Sequence, residues 1–293
     1  MTSDRNYTQA EEKFLDNIKD LPTLPTVVAQ VMVTLDQPTS SARDLERLVA
    51  NDQAIAARLL KLANSAFYGL AGKVTSLSRA ITLLGFNTVR SLVLTIGVID
   101  KFSAKSGSKY FDRGEFWEHS LSVAVASRIL ATKDPTMNPD EAHIAGLLHD
   151  IGTIIMDSCV PEKFQRAIKR IKLENGDPRE IEREEIGFSH TEVGALVATK
   201  WRFPEFIREA MLYHHEPEKA QQHPETVQVV ALANTIVKAF KKQEDDGEDL
   251  VIPEDWPELR AIWLPTPRHE ELFITKYEVD VERVQDILLL FNQ

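Results

Sequence analysis

A single cysteine, Cys159, stands in 293 residues, so no disulfide can close within the chain, which suits a reducing, cytoplasmic setting. Long apolar runs are missing too. The most apolar stretch, "SLVLTIGVI" at 91–99, falls far short of the ~20 residues that span a bilayer, so no membrane segment is expected. The opening "MTSDRNYTQAEEKF" lacks the apolar centre of a secretory signal. No glycine-rich phosphate loop, Ser-His-Asp elbow or CxxC pair occurs, and no sustained alternation of polar and apolar residues predicts a sheet. Positive charge is in deficit: 34 Lys and Arg against 45 Asp and Glu give a net charge of −11. That balance argues against a nucleic-acid partner, which needs many basic side chains on phosphates.

What is present is helical pattern almost throughout, and the expected fold class is all-α, a multi-helix bundle. "TVVAQVMVTLD", ending before Pro38, "TSSARDLERLVAND", "DQAIAARLLKLANSAFYG" and "SLSRAITLLG" carry apolar stripes at helical spacing; hydroxyls cap the second and fourth, and Gly69 and Gly85 stop the third and fourth. "NTVRSLVLTIGVIDKF" is apolar all round and predicts a deeply buried helix. "SLSRAITLLGFNTVRS", helix, glycine turn, helix, is also the outline of a DNA-reading unit, a weaker reading in so acidic a chain. A stretch poor in apolar residues, 103–114, divides the chain. It separates an N-terminal helical half, 1–110, from a second helical core, 111–240; an exposed, charged loop at 241–249 and a C-terminal helical cap complete residues 241–293. Between Lys73 and Lys109, six basic residues (Lys73, Arg79, Arg90, Lys101, Lys105, Lys109) face one acid, Asp100, which reads as a solvated face or a docking surface for an acidic partner.

The second half holds the unusual polar residues. Eight histidines occur, six of them between 119 and 215. His119 follows Trp117 in "EFWEHSLSVAVA"; His149 and Asp150 end "IAGLLHD"; His190 opens "HTEVGALVA"; His214 and His215 close "EAMLYHH". Each lies in or beside an apolar helical run, and their spacing puts them on separate helices, so any site is assembled by the tertiary fold. A carboxylate beside an imidazole in apolar surroundings costs several kcal/mol unless hydrogen bonds or a cation compensate both. Glu115, four residues before His119, shares its helix face and could ligate with it. Imidazole plus carboxylate is a ligand set for Zn, Mn or Fe. Neighbouring His214 and His215, ~100° apart on a helix, do not easily reach one ion together, so either two ions share them or one stands behind the ligands. His143, His223 and His269 lack this context and read as surface or structural residues.

The motifs together resemble a known family. "LPTLPTVVAQVM", "LERLVANDQAIAARLLKLANSAFYG" and "SLSRAITLLGFNTVRSLVL", followed by "FWEHSLSVAVAS", "AGLLHDIG", "HTEVGALVATKW" and "HHE", are similar to HDOD domains, bacterial signalling modules related to HD-type metal-dependent phosphohydrolases. The resemblance covers roughly 15–240. It implies an all-α fold and a divalent metal site of one or two ions, Fe, Mn or Zn. His119, His149 and Asp150 would be ligands, Asp150 the bridging and catalytic carboxylate. His190, His214 and His215 would complete a second position, and Glu115 is placed like an additional ligand. Where HD enzymes carry an aspartate, "VALANTIV" has Asn234, and the glycine-tyrosine-proline signature of the cyclic-dinucleotide branch is missing after "HHE". The expectation is therefore a signal-transduction module with a signalling protein partner or a nucleotide or phosphate ligand. Phosphohydrolase or phosphodiesterase activity is the alternative.

Overall fold

The computed structural model of the chain describes residues 23–33, 41–64, 72–102, 108, 110–174 and 176–291. The N-terminal stretch, half of the 103–114 connector with Lys105 and Lys109, and residues 65–71 of the "LANSAFYG" motif lie outside them. Every regular element among the described residues is helical.

The front half consists of α1 (Thr26–Val33), α2 (Ala42–Ala50), α3 (Gln53–Ala63), α4 (Leu77–Leu84) and α5 (Phe86–Phe102). Local chemistry sets their ends. Ser41 and Asp44 form a reciprocal capping box on α2, Asp52 accepts from Ala54 N and Ile55 N at the start of α3, and Ser76 caps α4. Gly85, at φ +87, turns the chain between α4 and α5. α5 is buried along nearly its whole length, as its pattern predicts. No single described helix is long and apolar enough to cross a membrane.

Burial corrects the reading of the basic stretch. Lys73, Arg79 and Lys101 are exposed, but Arg90 is only 5% exposed, its guanidinium 5.3 Å from the centre of the Phe86 ring. Burial pushes its pKa down, opposed by Glu141 and Asp140. Arg90 belongs to the join between the halves, not to a docking face.

The second half follows as α6 (Arg113–Ala131), α7 (Pro139–Leu148), α8 (Ile151–Cys159), α9 (Pro161–Glu174), α10 (Pro178–Ile186), α11 (His190–Lys200), α12 (Glu205–Tyr213), α13 (Pro224–Asp246), α14 (Pro257–Trp263) and α15 (Pro267–Phe291). α7 is the hub: it packs against α5, α6, α12 and α13. One hydrophobic core runs through both halves, and α15 lies along α6. The expected charged loop at 241–249 is corrected too. α13 stays helical to Asp246 and is closed by Gly247 in the left-handed region, so only the last few of these residues are loop. Their charges are solvated on helix rather than on irregular chain.

Two glycines bracket the joint that matters most. A methyl group on Gly146 would come within 3.0 Å of the α6 backbone at Ala124 Cα. On Gly152 it would lie 1.9 Å from the carbonyl oxygen of His190. Glycine lets α7 press on α6 and α8 press on α11, and the His149–Asp150 step sits between these contacts.

Candidate metal centre

Asp150 occupies the N-cap position of α8, where a carboxylate ordinarily accepts from the first backbone N–H groups of the helix. Here its side chain makes no capping hydrogen bond. It turns instead toward imidazoles. His149 Nε2 lies 3.2 Å from Asp150 Oδ2, while His214 Nε2 and His190 Nε2 lie 3.2 Å and 3.4 Å from Oδ1. Close as they are, His149 Nε2, His214 Nε2 and Asp150 Oδ1 are shielded from solvent and form no hydrogen bond of proper geometry.

The opposite ring nitrogens explain the arrangement. His149 Nδ1 is 2.7 Å from the carbonyl of Gly146, and His214 Nδ1 is 3.0 Å from that of Ala210 and 3.2 Å from that of Met211. A carbonyl only accepts, so Nδ1 must carry the proton and Nε2 presents a lone pair. His190 Nδ1 donates to Glu182 Oε2 at 2.7 Å, and the His190 backbone N–H donates to the same oxygen at 2.7 Å. Nδ1 held by a carbonyl or carboxylate, with Nε2 free, is how proteins orient imidazoles toward metal ions. His215 Nε2 lies 3.2 Å from His190 Nε2.

The ligand atoms fall into two groups that share Asp150. Asp150, His190, His214 and His215 form one; His119, His149 and Asp150 form the other; within each, all ligand atoms lie within 4.8 Å of one another. The helical angle expected to separate His214 from His215 does not apply, because α12 ends at Tyr213 and His214 is its C-cap. The two rings turn inward together, their centres 4.3 Å apart. Asn234 is buried on α13 with an unpartnered side-chain oxygen, in reach of His119. Glu115 does not join either group: it is exposed and lines a cavity of about 520 Å³ beside His119.

Electrostatics keep the imidazoles ready to coordinate. Burial pushes His119 down to about 3, His214 to about 4 and His215 to about 2, so all three are neutral near pH 7. Burial also opposes charge on His190, but Glu182 outweighs it and the pKa rises. Burial works to raise the Asp150 carboxyl; the surrounding imidazoles, His149 first, outweigh it and hold the carboxyl well below its usual range. Imidazoles that turn Nε2 toward an ionised carboxylate, those of His119, His149 and His214 without a hydrogen-bond partner, form a donor set that fits a divalent cation.

Glu182 is the group that the sequence reading passed over. It sits in the acidic run "REIEREEI", most of which is solvated, yet it is 3% exposed and buried alongside Ile181 and Ile186. Its place one turn before Ile186 is the one signal that could have marked it. His143, read as a surface or structural residue, is buried on α7, with its pKa lowered to about 3 by burial.

The HDOD domain family model matches residues 21–217. An uncharacterized protein of Treponema pallidum (strain Nichols) is 25% identical over 244 residues, 82% of this chain and 46% of that protein, so the chain spans about half the length of the curated relative it matches. The crystal structure of an HDOD domain protein of unknown function from Geobacter sulfurreducens superposes with a TM-score of 0.76 at 25% identity, covering 97% of this chain and 96% of that one. A protein from Shewanella amazonensis SB2B, named as a candidate phosphohydrolase, superposes with a TM-score of 0.75 at 24% identity over 96% of this chain and 99% of its own, a likeness of fold. With helical motifs, architecture and family match in agreement, this chain belongs to the HDOD domain family.

Proposed function

We propose that this chain is a regulatory HDOD module that holds a divalent metal ion at the Asp150 cluster and transmits a signal by binding, to a partner protein or a small ligand, rather than by turnover. The observation that carries the metal part is the convergence of His149, His190 and His214 Nε2 on Asp150 with their Nδ1 protons held elsewhere. His190, His214 and His215 would hold an ion on one side of Asp150, His119 and His149 on the other.

The regulatory part rests on two features. The described front half contributes packing and caps, with no comparable cluster of ligating groups. The cavity beside His119 is lined by Glu115, Glu118, Glu244, Asp245 and Glu282 against Lys241, a potential that attracts cations and repels a polyphosphate substrate. Elemental analysis of the protein as isolated tests the metal; a nucleotide and cyclic-dinucleotide hydrolysis panel with Mn or Fe tests the absence of turnover. Retained metal without hydrolysis is expected, and a metal-free protein would remove the basis of the reading.

Phosphohydrolase activity is the second reading, favoured by the shared position of Asp150 between two groups of imidazoles. A bound metal would polarise a phosphoryl oxygen and acidify a bound water. Asp150 would orient the attacking group. Hydrolysis lost in Asp150→Ala would establish that reading; hydrolysis surviving it would place the activity elsewhere.

A further inference from the structure

We infer that the cluster takes one divalent ion tightly, between Asp150 and His190, His214 and His215, that Glu182 sets this preference, and that the His119–His149 side fills only when a small anion enters with the second ion. The inference rests on the metal-holding reading above and adds order and stoichiometry to it.

The two sides of Asp150 differ in their supporting groups. On the first side, His190 is tied through both its backbone N–H and its Nδ1 to one buried carboxylate, Glu182, and His214 is tied to two carbonyls. A carboxylate behind an imidazole increases the electron density the ring offers to a cation and adds a full negative charge near it. On the second side, His149 leans on a neutral carbonyl. His119 Nε2 is unpartnered, and the buried group in its reach is the neutral amide of Asn234.

Charge counting then sets the order. An imidazole ligates only in its neutral form, so in the loaded cluster the built-in anions are Asp150 and Glu182. One dication balances them. Two dications would leave two positive charges uncompensated among buried groups, which low-dielectric surroundings penalise heavily. Lys238, exposed on α13, adds positive potential at His119, His190 and His215. The carboxylates around the neighbouring cavity are water-facing and screened; they draw cations in but do not neutralise a buried second ion. That ion therefore needs a phosphate-type anion beside it.

The test uses the whole chain, stripped of metal, loaded with Mn²⁺ in phosphate-free buffer, desalted and analysed for metal, with affinities measured by calorimetry. The expected result is one retained ion per chain, rising toward two when inorganic phosphate is present during loading. Glu182→Gln keeps the shape and removes the charge. It should weaken the first ion by about 10- to 100-fold while the metal-free variant keeps a wild-type circular-dichroism spectrum. His119→Ala should still retain one ion, and Asn234→Asp, which cancels one of the two surplus charges, should retain more than one without phosphate. Two ions in the wild type without phosphate, an unchanged affinity in Glu182→Gln, loss of the tight ion in His119→Ala, or a single ion in Asn234→Asp would each overturn the ordering and leave the metal site standing. Should Glu182→Gln misfold, the other two variants decide. No ion in the wild type would overturn the metal-holding reading itself.

Discussion

Gly152→Ala adds one methyl group at the point where the fold makes the site. The new Cβ would lie 1.9 Å from the His190 carbonyl oxygen and 2.8 Å from Gly194 N, where ordinary contact begins at 3.4 Å. Both neighbours are backbone, so no side chain can swing aside; α8 and α11 must separate by about 1.5 Å. Overpacking of this kind costs about 1–3 kcal/mol. Alanine's better helix propensity returns at most ~1 kcal/mol. A net loss of about 1–2 kcal/mol lowers the melting temperature of a chain this size by about 2–5 °C. The same separation pulls His190 from Asp150, so metal affinity falls with stability. Gly176→Ala is the control, because its added Cβ would meet Ile181 Cδ1 at an ordinary 3.5 Å. Thermal unfolding followed by circular dichroism, with and without Mn²⁺, reads both effects. If Gly152→Ala melts with Gly176→Ala and binds metal as tightly, the close approach of α8 to α11 does not govern the site.

Three further outcomes follow from the buried charges. In metal-free protein, His119, His143 and His214, lowered to about 3, 3 and 4 from 6.5, contribute stability that is fully present above 6.5 and lost as pH falls, since the unfolded chain takes up protons first. Each adds a slope of up to about 1.4 kcal/mol per pH unit. His190, raised, works in the opposite sense, its contribution fading as pH rises through its folded value. Urea midpoints at several pH values between 7.5 and 4.5 should fall with acid, and a flat profile would contradict the burial of neutral imidazoles. Arg113→Ala removes the guanidinium that joins buried Asp157 (2.6 Å), Ser158 (2.8 Å) and the Phe102 carbonyl (3.3 Å), tying the end of α5 to the end of α8. A loss of about 3 kcal/mol is expected by denaturant titration; a change under about 0.5 kcal/mol would show that the tie is dispensable. Glu209→Ala strips the carboxylate that accepts from the backbone N–H groups of Gln221, Gln222 and His223, so proteolysis should concentrate near residues 220–223. Unchanged cleavage would refute that role.

Much of the helical order was legible because these helices announce themselves by caps and stripes. Ser41 and Ser76 start helices by the chemistry expected of them. The site was legible as residue types in the wrong surroundings: His149 and Asp150 beside Leu147 and Leu148, with His190 and His214 against apolar runs. What stayed hidden depends on tertiary partners. Only its place one turn before Ile186 sets Glu182 apart from Glu184 until α10 packs on α11, and only its all-round apolar helix sets Arg90 apart from Arg79 until α5 packs on α7. The joint turn of His214 and His215 depends on α12 stopping at Tyr213, before both histidines that the sequence pattern places on the helix. Glu115 shows the converse: its spacing to His119 is right, but its side chain faces solvent at the cavity mouth.

The measurement that reaches the centre of this account is anomalous X-ray scattering from crystals of the protein grown with Mn²⁺. A peak at bonding distance from Asp150 Oδ1 and the Nε2 atoms of His190 and His214 is the predicted result. No peak there, with those nitrogens hydrogen-bonded to one another or to water, would contradict it.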